Sequence, residues 1–543
     1  MTELNPKLLD TDEFLETDLD SSLNGTTSKG TYSPMQFTIR LRDDIHNALK
    51  KDDMRFEKIQ AFSTFMHENI HWWQHVGSHL GFLTSLSYPA LAHSAHQDLN
   101  TLVKRNEKFK SIVEYDKHYY SKTGKHDNQE VNRILNNYHD INNAKAFILD
   151  NKNIHRLVKD KRFFLHMGHC FHILWSSSIN TLAASIDREY SFLPKVNDWH
   201  KKFQQLEKDK VPGFFIDSSM GISPLGTRAI YEGQARFNQL QYLSIASENK
   251  YLYGDFEKLG MLHGIYIEAF DLFLKVTQID RPDNFNNSII GLFLLLCDIA
   301  INPTDGFPHD ILHYESFIIS NDPGMRFIML CQAVKKEKAK WTVAVKEYSR
   351  DEYINLCEKL CKEIVCFTPL YGSAIVAKWS ENNVSIQNLL SEESEMKFKP
   401  ENLAIRLFAA KYIRFQEDKL KYPNIFCWTG KSMTSEASKE LTLELVETIF
   451  NKHRALFIAD IGGEIKPIIF DNYSEQTTVD TFQSFYTCNT TYDMIMKWIK
   501  QKGEFTYDFN WLTSKHKDEE MKDWIRNNFK DAFNIYPEEL KVL

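Results

Sequence analysis

Apolar residues of this chain recur mostly at intervals of three and four, the spacing that lines one face of an α-helix. Ile59, Phe62, Met66, Ile70, Trp73, Val76 and Leu80 predict one long amphipathic helix from about Phe56 to Leu80. Helical patterns continue to about Phe270, interrupted by polar stretches at Lys122 to Gln129 and Lys195 to Pro212, and a second helical block is expected from Asn286 to Ala377. Strict alternation is rarer. Met35 to Leu41 reads as a strand, the edge element on which a cleft holds an extended substrate. Ala455 to Phe470 reads as two apolar strands around Gly462 and Gly463, a hairpin. Ile289 to Ile301 is almost wholly apolar, but it is shorter than the roughly 20 residues that a membrane span needs and contains Asp298. It is expected to be a buried helix. The fold class implied is mainly α (α+β).

Composition narrows the partners. Of 543 residues 43% are hydrophobic, including 38 Phe, which is enough for two or three cores. A net charge of -8 gives no basic footprint, so nucleic acid is excluded as a main partner. The first 20 residues are acidic, with Lys7 their only base, and lack the apolar core of a signal peptide. Residues 1–30 are therefore expected to be a mobile acidic tail. The eight cysteines include no CxxC pair and suit a reducing cytoplasm; Cys357, Cys361 and Cys366 are expected to be small core residues.

Within the first predicted helix, His67-Glu68-Asn69-Ile70-His71 is an HExxH motif. Two histidines four apart lie one turn apart on the same side of a helix, so both imidazoles reach one metal ion while Glu68 faces its water. Two histidines and a water leave tetrahedral zinc one ligand short. The best third ligand is Glu232, in a helix that opens near Ser223-Pro224 and Gly226-Thr227 and runs through about Leu243. Gly233, costly inside a helix, implies close packing, here expected against the helix that carries the motif.

HENIH followed by an EGQA helix resembles the gluzincin type of zincin metallopeptidase. The resemblance implies Zn2+ held by His67, His71 and Glu232, Glu68 as general base, and Ala235 at a small position of an ExxA pattern. It also implies an orienting partner for a ligand histidine, but where many relatives have an aspartate this chain has Arg236. A zincin-like helical catalytic region is thus expected over residues 31–320, with a helical and partly β accessory region over residues 321–543. The expected activity is cytoplasmic hydrolysis of a peptide bond in a protein or peptide substrate, with a regulatory partner acting through the accessory region, as in a triggered bacterial effector or defence protease.

Other histidines compete for roles. Along the ladder His67, His71, His75 and His79 each step drifts about 40° around the helix, so His75 can face the cleft while His79 turns away. His166, His169 and His172 sit among apolar residues and read as core histidines. His309 and His313 repeat the four-residue spacing after a Pro/Gly-rich loop; with His75, Tyr231 and Tyr314 they are candidates for orienting groups or oxyanion donors. Two rival readings stand. A di-iron oxygenase or oxidase would use Glu68, His71, Glu232, Asp310 and His313 but leave His67 idle, and an inactive zincin scaffold would have no need of Glu68.

Overall fold

Strands from distant parts of the chain meet in one sheet. The computed structural model describes residues 4–9, 29–51, 55–150, 152, 154–509, 511–513, 516 and 518–543. Strands β1 (Gly30–Ser33) and β2 (Thr38–Leu41) pair antiparallel around a turn in which Phe37 takes a left-handed backbone. β2 pairs parallel with β3 (Phe457–Ala459), and β4 (Ile465–Pro467) completes the expected hairpin, giving the order β1-β2-β3-β4. The predicted strand is therefore internal, and the edges are β4 and β1, whose Gly-Thr-Tyr-Ser sequence carries too little alternation to announce itself.

The molecule is 65% helix and 4% strand, as the dominant period predicts. The helices that shape the site are α1 (Arg55–Trp72), α2 (His79–Lys104), α3 (Thr227–Ala246), α4 (Ile265–Thr277), α5 (Ser288–Ile301) and α6 (Leu403–Lys421). The expected continuous helix from Phe56 to Leu80 is broken. Trp73–Gly77 forms a π-helical turn, and Ser78 leaves helical geometry to cap α2 by accepting from the Gly81 amide at 3.0 Å. The cause lies in α6. Gln416 Nε2 and Lys419 Nζ both donate to the Gly77 carbonyl, at 2.7 and 2.8 Å, drawing it out of a regular ladder. A Cβ on Gly77 would lie 2.8 Å from the Phe415 ring, so only glycine admits this approach. Val76 and Leu80 stay fully buried across the break, which hides it from periodicity.

Two hydrophobic clusters meet along α1 and α3. One joins the sheet, α2 and α6 to the C-terminal helix Glu475–Lys500, so Ile70, Phe408 and Trp498 share a core across position 320. The other surrounds α5 with Phe237, Phe270 and Phe327. α5 is buried along its length as expected; Asp298 within it accepts from the Tyr353 hydroxyl at 2.5 Å and from Asn302. The polar stretch from Lys195 to Pro212, expected to interrupt the helices, itself contains the helix Trp199–Lys208. Trp199, Phe203 and Leu206 are its buried face, a stripe too narrow to stand out in sequence.

At the N-terminus Leu4 and Leu8 are buried, and the Asn5 amide donates to Gln60 of α1 at 2.9 Å. The rest of the acidic segment, residues 1–3 and 10–28, lies outside the described residues. Among the described residues no helix is long and apolar enough to cross a membrane.

Candidate metal centre

α1 presents His67, Glu68 and His71 to α3, all three buried among the seam residues of the two cores. α3 starts at Thr227 with Gly226 as its cap: a Cβ at Gly226 would lie 2.3 Å from the Leu149 carbonyl, and the Thr227 hydroxyl donates to Ile148 O. Gly233 does allow close packing, but toward Ala269 and Phe293 on α4 and α5, where a Cβ would lie 3.4 and 3.3 Å away. The expected contact of Gly233 with α1 is thus replaced by one with α4 and α5, about 100° around the helix from Glu232, which faces the histidines.

The three donor atoms converge. His67 Nε2 and His71 Nε2 are 3.1 Å apart, and Glu232 Oε2 lies 3.5 Å from the first and 3.3 Å from the second. Zinc bonded at about 2.0–2.1 Å to a tetrahedral donor set holds neighbouring donors about 3.3 Å apart. The triangle therefore has the dimensions of one face of such a tetrahedron, and the donor set of two imidazoles and a carboxylate suits zinc chemically. His67, His71 and Glu232 form the one metal-competent group of His, Cys, Asp and Glu side chains among the described residues.

Position 236, where the resemblance led to an aspartate, holds Arg236, and a partner for His71 comes instead from the π turn. His71 Nδ1 lies 2.7 Å from Gln74 Oε1. The Gln74 amide nitrogen is occupied in donating to the Tyr231 carbonyl and to Gln234 Oε1, both at 2.9 Å. Gln74 Oε1 can then only accept, so the proton sits on Nδ1 and Nε2 is left to face the ligand point. His67 Nδ1 has no partner among the described residues.

Electrostatics follow from this crowding. Burial pushes His67 down to about 3. Burial also opposes a charge on His71, but Glu232 outweighs it, aided by Glu68 and Gln74, and raises that imidazole to about 9. Burial works against the Glu232 carboxylate, yet His71 and His67 hold it well below the ordinary range. Burial raises Glu68 to about 7, with Glu232 adding to the effect while His71 and Arg236 oppose it. Without an ion, one imidazolium thus neutralises Glu232; a divalent ion would take over that task.

Three further residues border the site. A Cβ on Gly30 of β1 would meet Glu68 Oε1 at 2.7 Å, so glycine there lets the strand lie against the carboxylate. Tyr266 of α4 sets its ring 6.1 Å from that of His67, and burial, with Glu232 and Glu68 adding, pushes its hydroxyl up to about 12. Arg236, one turn beyond Glu232, lays its guanidinium 4.0 Å from the Tyr266 ring centroid. Arg236 was visible in the sequence as a departure from the family pattern. Gly30, Gln74 and Tyr266 carried no such mark.

The other predicted residues lie elsewhere. His75 packs between Tyr32 and Tyr231, ring centroids 5.4 and 5.2 Å away, and burial lowers it to about 3. Tyr231 contributes its carbonyl to Gln74, while its hydroxyl faces the Gln74 carbonyl at 3.4 Å. His79 is buried in α2 with Nδ1 2.7 Å from the Tyr412 hydroxyl. His309 lies beside Phe367 and Tyr371, His313 is exposed, and Tyr314 packs on Phe203, so none of the three joins the metal group. Asp310 accepts from the Trp199 indole at 2.7 Å, and the five-ligand set of the di-iron reading is not assembled among the described residues. His166 caps its helix, His169 lies 3.1 Å from Asp140, and His172 stacks on Phe203, as structural histidines do. Cys357 and Cys361 are buried.

No family model, no curated protein and no solved structure matches this chain.

Proposed function

We propose that this chain is a zinc-dependent peptidase of the gluzincin type, hydrolysing a peptide bond in a protein or peptide substrate. The observation that carries the proposal is the triangle of His67 Nε2, His71 Nε2 and Glu232 Oε2, with edges of 3.1 to 3.5 Å and Glu68 on the same helix. His67, His71 and Glu232 would hold the zinc, which when bound would supply Lewis-acid activation of a water, its pKa lowered toward about 7. Glu68, on the same helix as both histidines, would take a proton from that water and return it to the leaving amine. Tyr266, whose ring borders that of His67 and whose hydroxyl keeps its proton near neutral pH, would be the donor we assign to the developing oxyanion, a role expected of other residues.

Eight unpaired cysteines support work in a reducing compartment such as the cytoplasm. Gln416 and Lys419 brace the turn that holds Gln74, so the region beyond residue 320 would support the geometry of the site.

Metal analysis of protein purified without added metal is expected to give about one zinc per chain; two irons per chain would overturn the proposal. Glu68→Gln should keep that zinc and the fold while hydrolysis of an unfolded protein substrate falls by roughly 10²- to 10⁴-fold. An undiminished rate would remove Glu68 from the chemistry.

A further inference from the structure

The hydrolytic reading leaves Arg236 without a task. Its position four residues beyond Glu232 puts it on the same face of α3, toward the metal pocket. It is 4% exposed. Nη1 donates to Gln239 Oε1 at 2.5 Å, and Gln239 in turn donates to Ser63 of α1 at 3.2 Å, so the side chain is fixed between two helices. Its Nε has no partner among the described residues. Tyr266 offers the face of its ring, 4.0 Å from Cζ, and its hydroxyl as a hydrogen-bond partner, which favour a cation but supply no counter-charge.

Charge makes the position harder to explain as scaffolding. Glu232 is engaged by both imidazoles, and no ion pair to Arg236 occurs among the described residues. Once a divalent ion is bound, Glu232 and Glu68 offset it and the guanidinium stands as an uncompensated buried positive charge. Such a charge is costly unless something anionic enters with the ligand. A guanidinium with Nη1 and one ring-facing side already used still offers the Nε edge, a planar fork suited to two carboxylate oxygens.

We propose that Arg236 anchors a carboxylate of the bound substrate, so that the site selects peptides carrying a carboxylate beside the bond to be cleaved. This rests on the peptidase reading for what is cleaved, although the anchoring itself is a binding property. The carboxylate has two sources, a free peptide C-terminus or an Asp or Glu side chain, and Arg236 recognises the chemistry common to both.

The test is a binding experiment on full-length Glu68→Gln protein equilibrated with zinc, so that peptides are held and not consumed. A random tripeptide pool is offered once with free C-termini and once as C-terminal amides, and retained peptides are counted by mass spectrometry. A charge-assisted bidentate contact predicts roughly 10- to 100-fold enrichment of carboxylate-bearing peptides. Enrichment of the free-acid pool as a whole identifies the C-terminus as the anchor. Enrichment confined to Asp- and Glu-containing members of the amide pool identifies the side chain. Adding Arg236→Gln should abolish the preference while zinc content stays unchanged. Adding Arg236→Lys, which keeps the charge without the fork, should weaken the preference and serves as the readout if the glutamine variant does not fold. No enrichment, or equal enrichment in the Arg236 variants, would overturn the proposal. Failure of the peptidase reading is read separately, from zinc content and from hydrolysis by the protein with Glu68 intact.

Discussion

His67 and His71 share one ligand point, whereas His309 and His313, at the same four-residue spacing, share nothing. The first pair stands on α1, where one turn brings Nε2 atoms within 3.1 Å. The second pair lies in a non-helical segment: His309 Nδ1 is 2.7 Å from the Asp310 carbonyl oxygen, and His313 is exposed just before a short 3-10 turn. Spacing is thus a statement about chemistry only where the backbone is helical. What separates the two motifs is also what surrounds them, since only the first has a second helix delivering a carboxylate and a side chain orienting one imidazole.

The contrast is broken most severely at its third ligand. Glu232→Ala should reduce zinc from about one per chain to a small fraction, and the melting temperature in zinc-containing buffer should fall by several degrees because the linkage to bound metal is lost. Unchanged stoichiometry would move the third-ligand role to another side chain. Gln74→Leu tests orientation alone: the zinc dissociation constant, read by competition with a chromophoric chelator, should rise roughly 10- to 100-fold while helix content is kept. If affinity holds, His71 needs no help from the π turn.

His79→Gln sharpens the comparison from within the same ladder. His79 bonds Tyr412 in a packed core, so its loss should cost about 1–3 kcal/mol of stability in denaturant titration and leave zinc content alone. Loss of zinc would instead tie α2 to the ligands. The smallest effect belongs to the second motif. His313→Ala, at an exposed position, should change stability by no more than about 0.5 kcal/mol and zinc content not at all; metal loss there would undo the distinction between the two motifs.

The cluster of His67, His71 and Glu232 was legible in the sequence because a metal-binding pattern imposes local rules. HENIH needs only one helix, and Glu232 needs only a second helix with a carboxylate on its packed side. Their supports were not, because they depend on contacts between distant segments. Gln74 orients His71 from a π turn whose carbonyl is held by Gln416 and Lys419 on α6, and nothing in residues 73–77 foretells that hold. Gly30 matters through what its missing side chain leaves open beside Glu68, and Tyr266 through a helix crossing that periodicity does not locate. The helical class was readable from the three-and-four spacing. The inference about Gly233 had the right physics and the wrong neighbour, since a glycine signals close approach without saying from which side.

The pairing of β2 with β3 has a temporal consequence. Thr38 waits for Phe457, and the four-stranded sheet that flanks α1 cannot be completed until most of the chain has been made. At about 5–20 residues per second the ribosome takes tens of seconds to travel between these strands. During that interval a nascent chain already displays both histidines and then Glu232, yet it lacks α6 and the grip on Gly77 that sets Gln74. Its pocket is therefore completed only after α6 has emerged, and a polypeptide interrupted before α6 would carry His67, His71 and Glu232 and still hold His71 unsteadied.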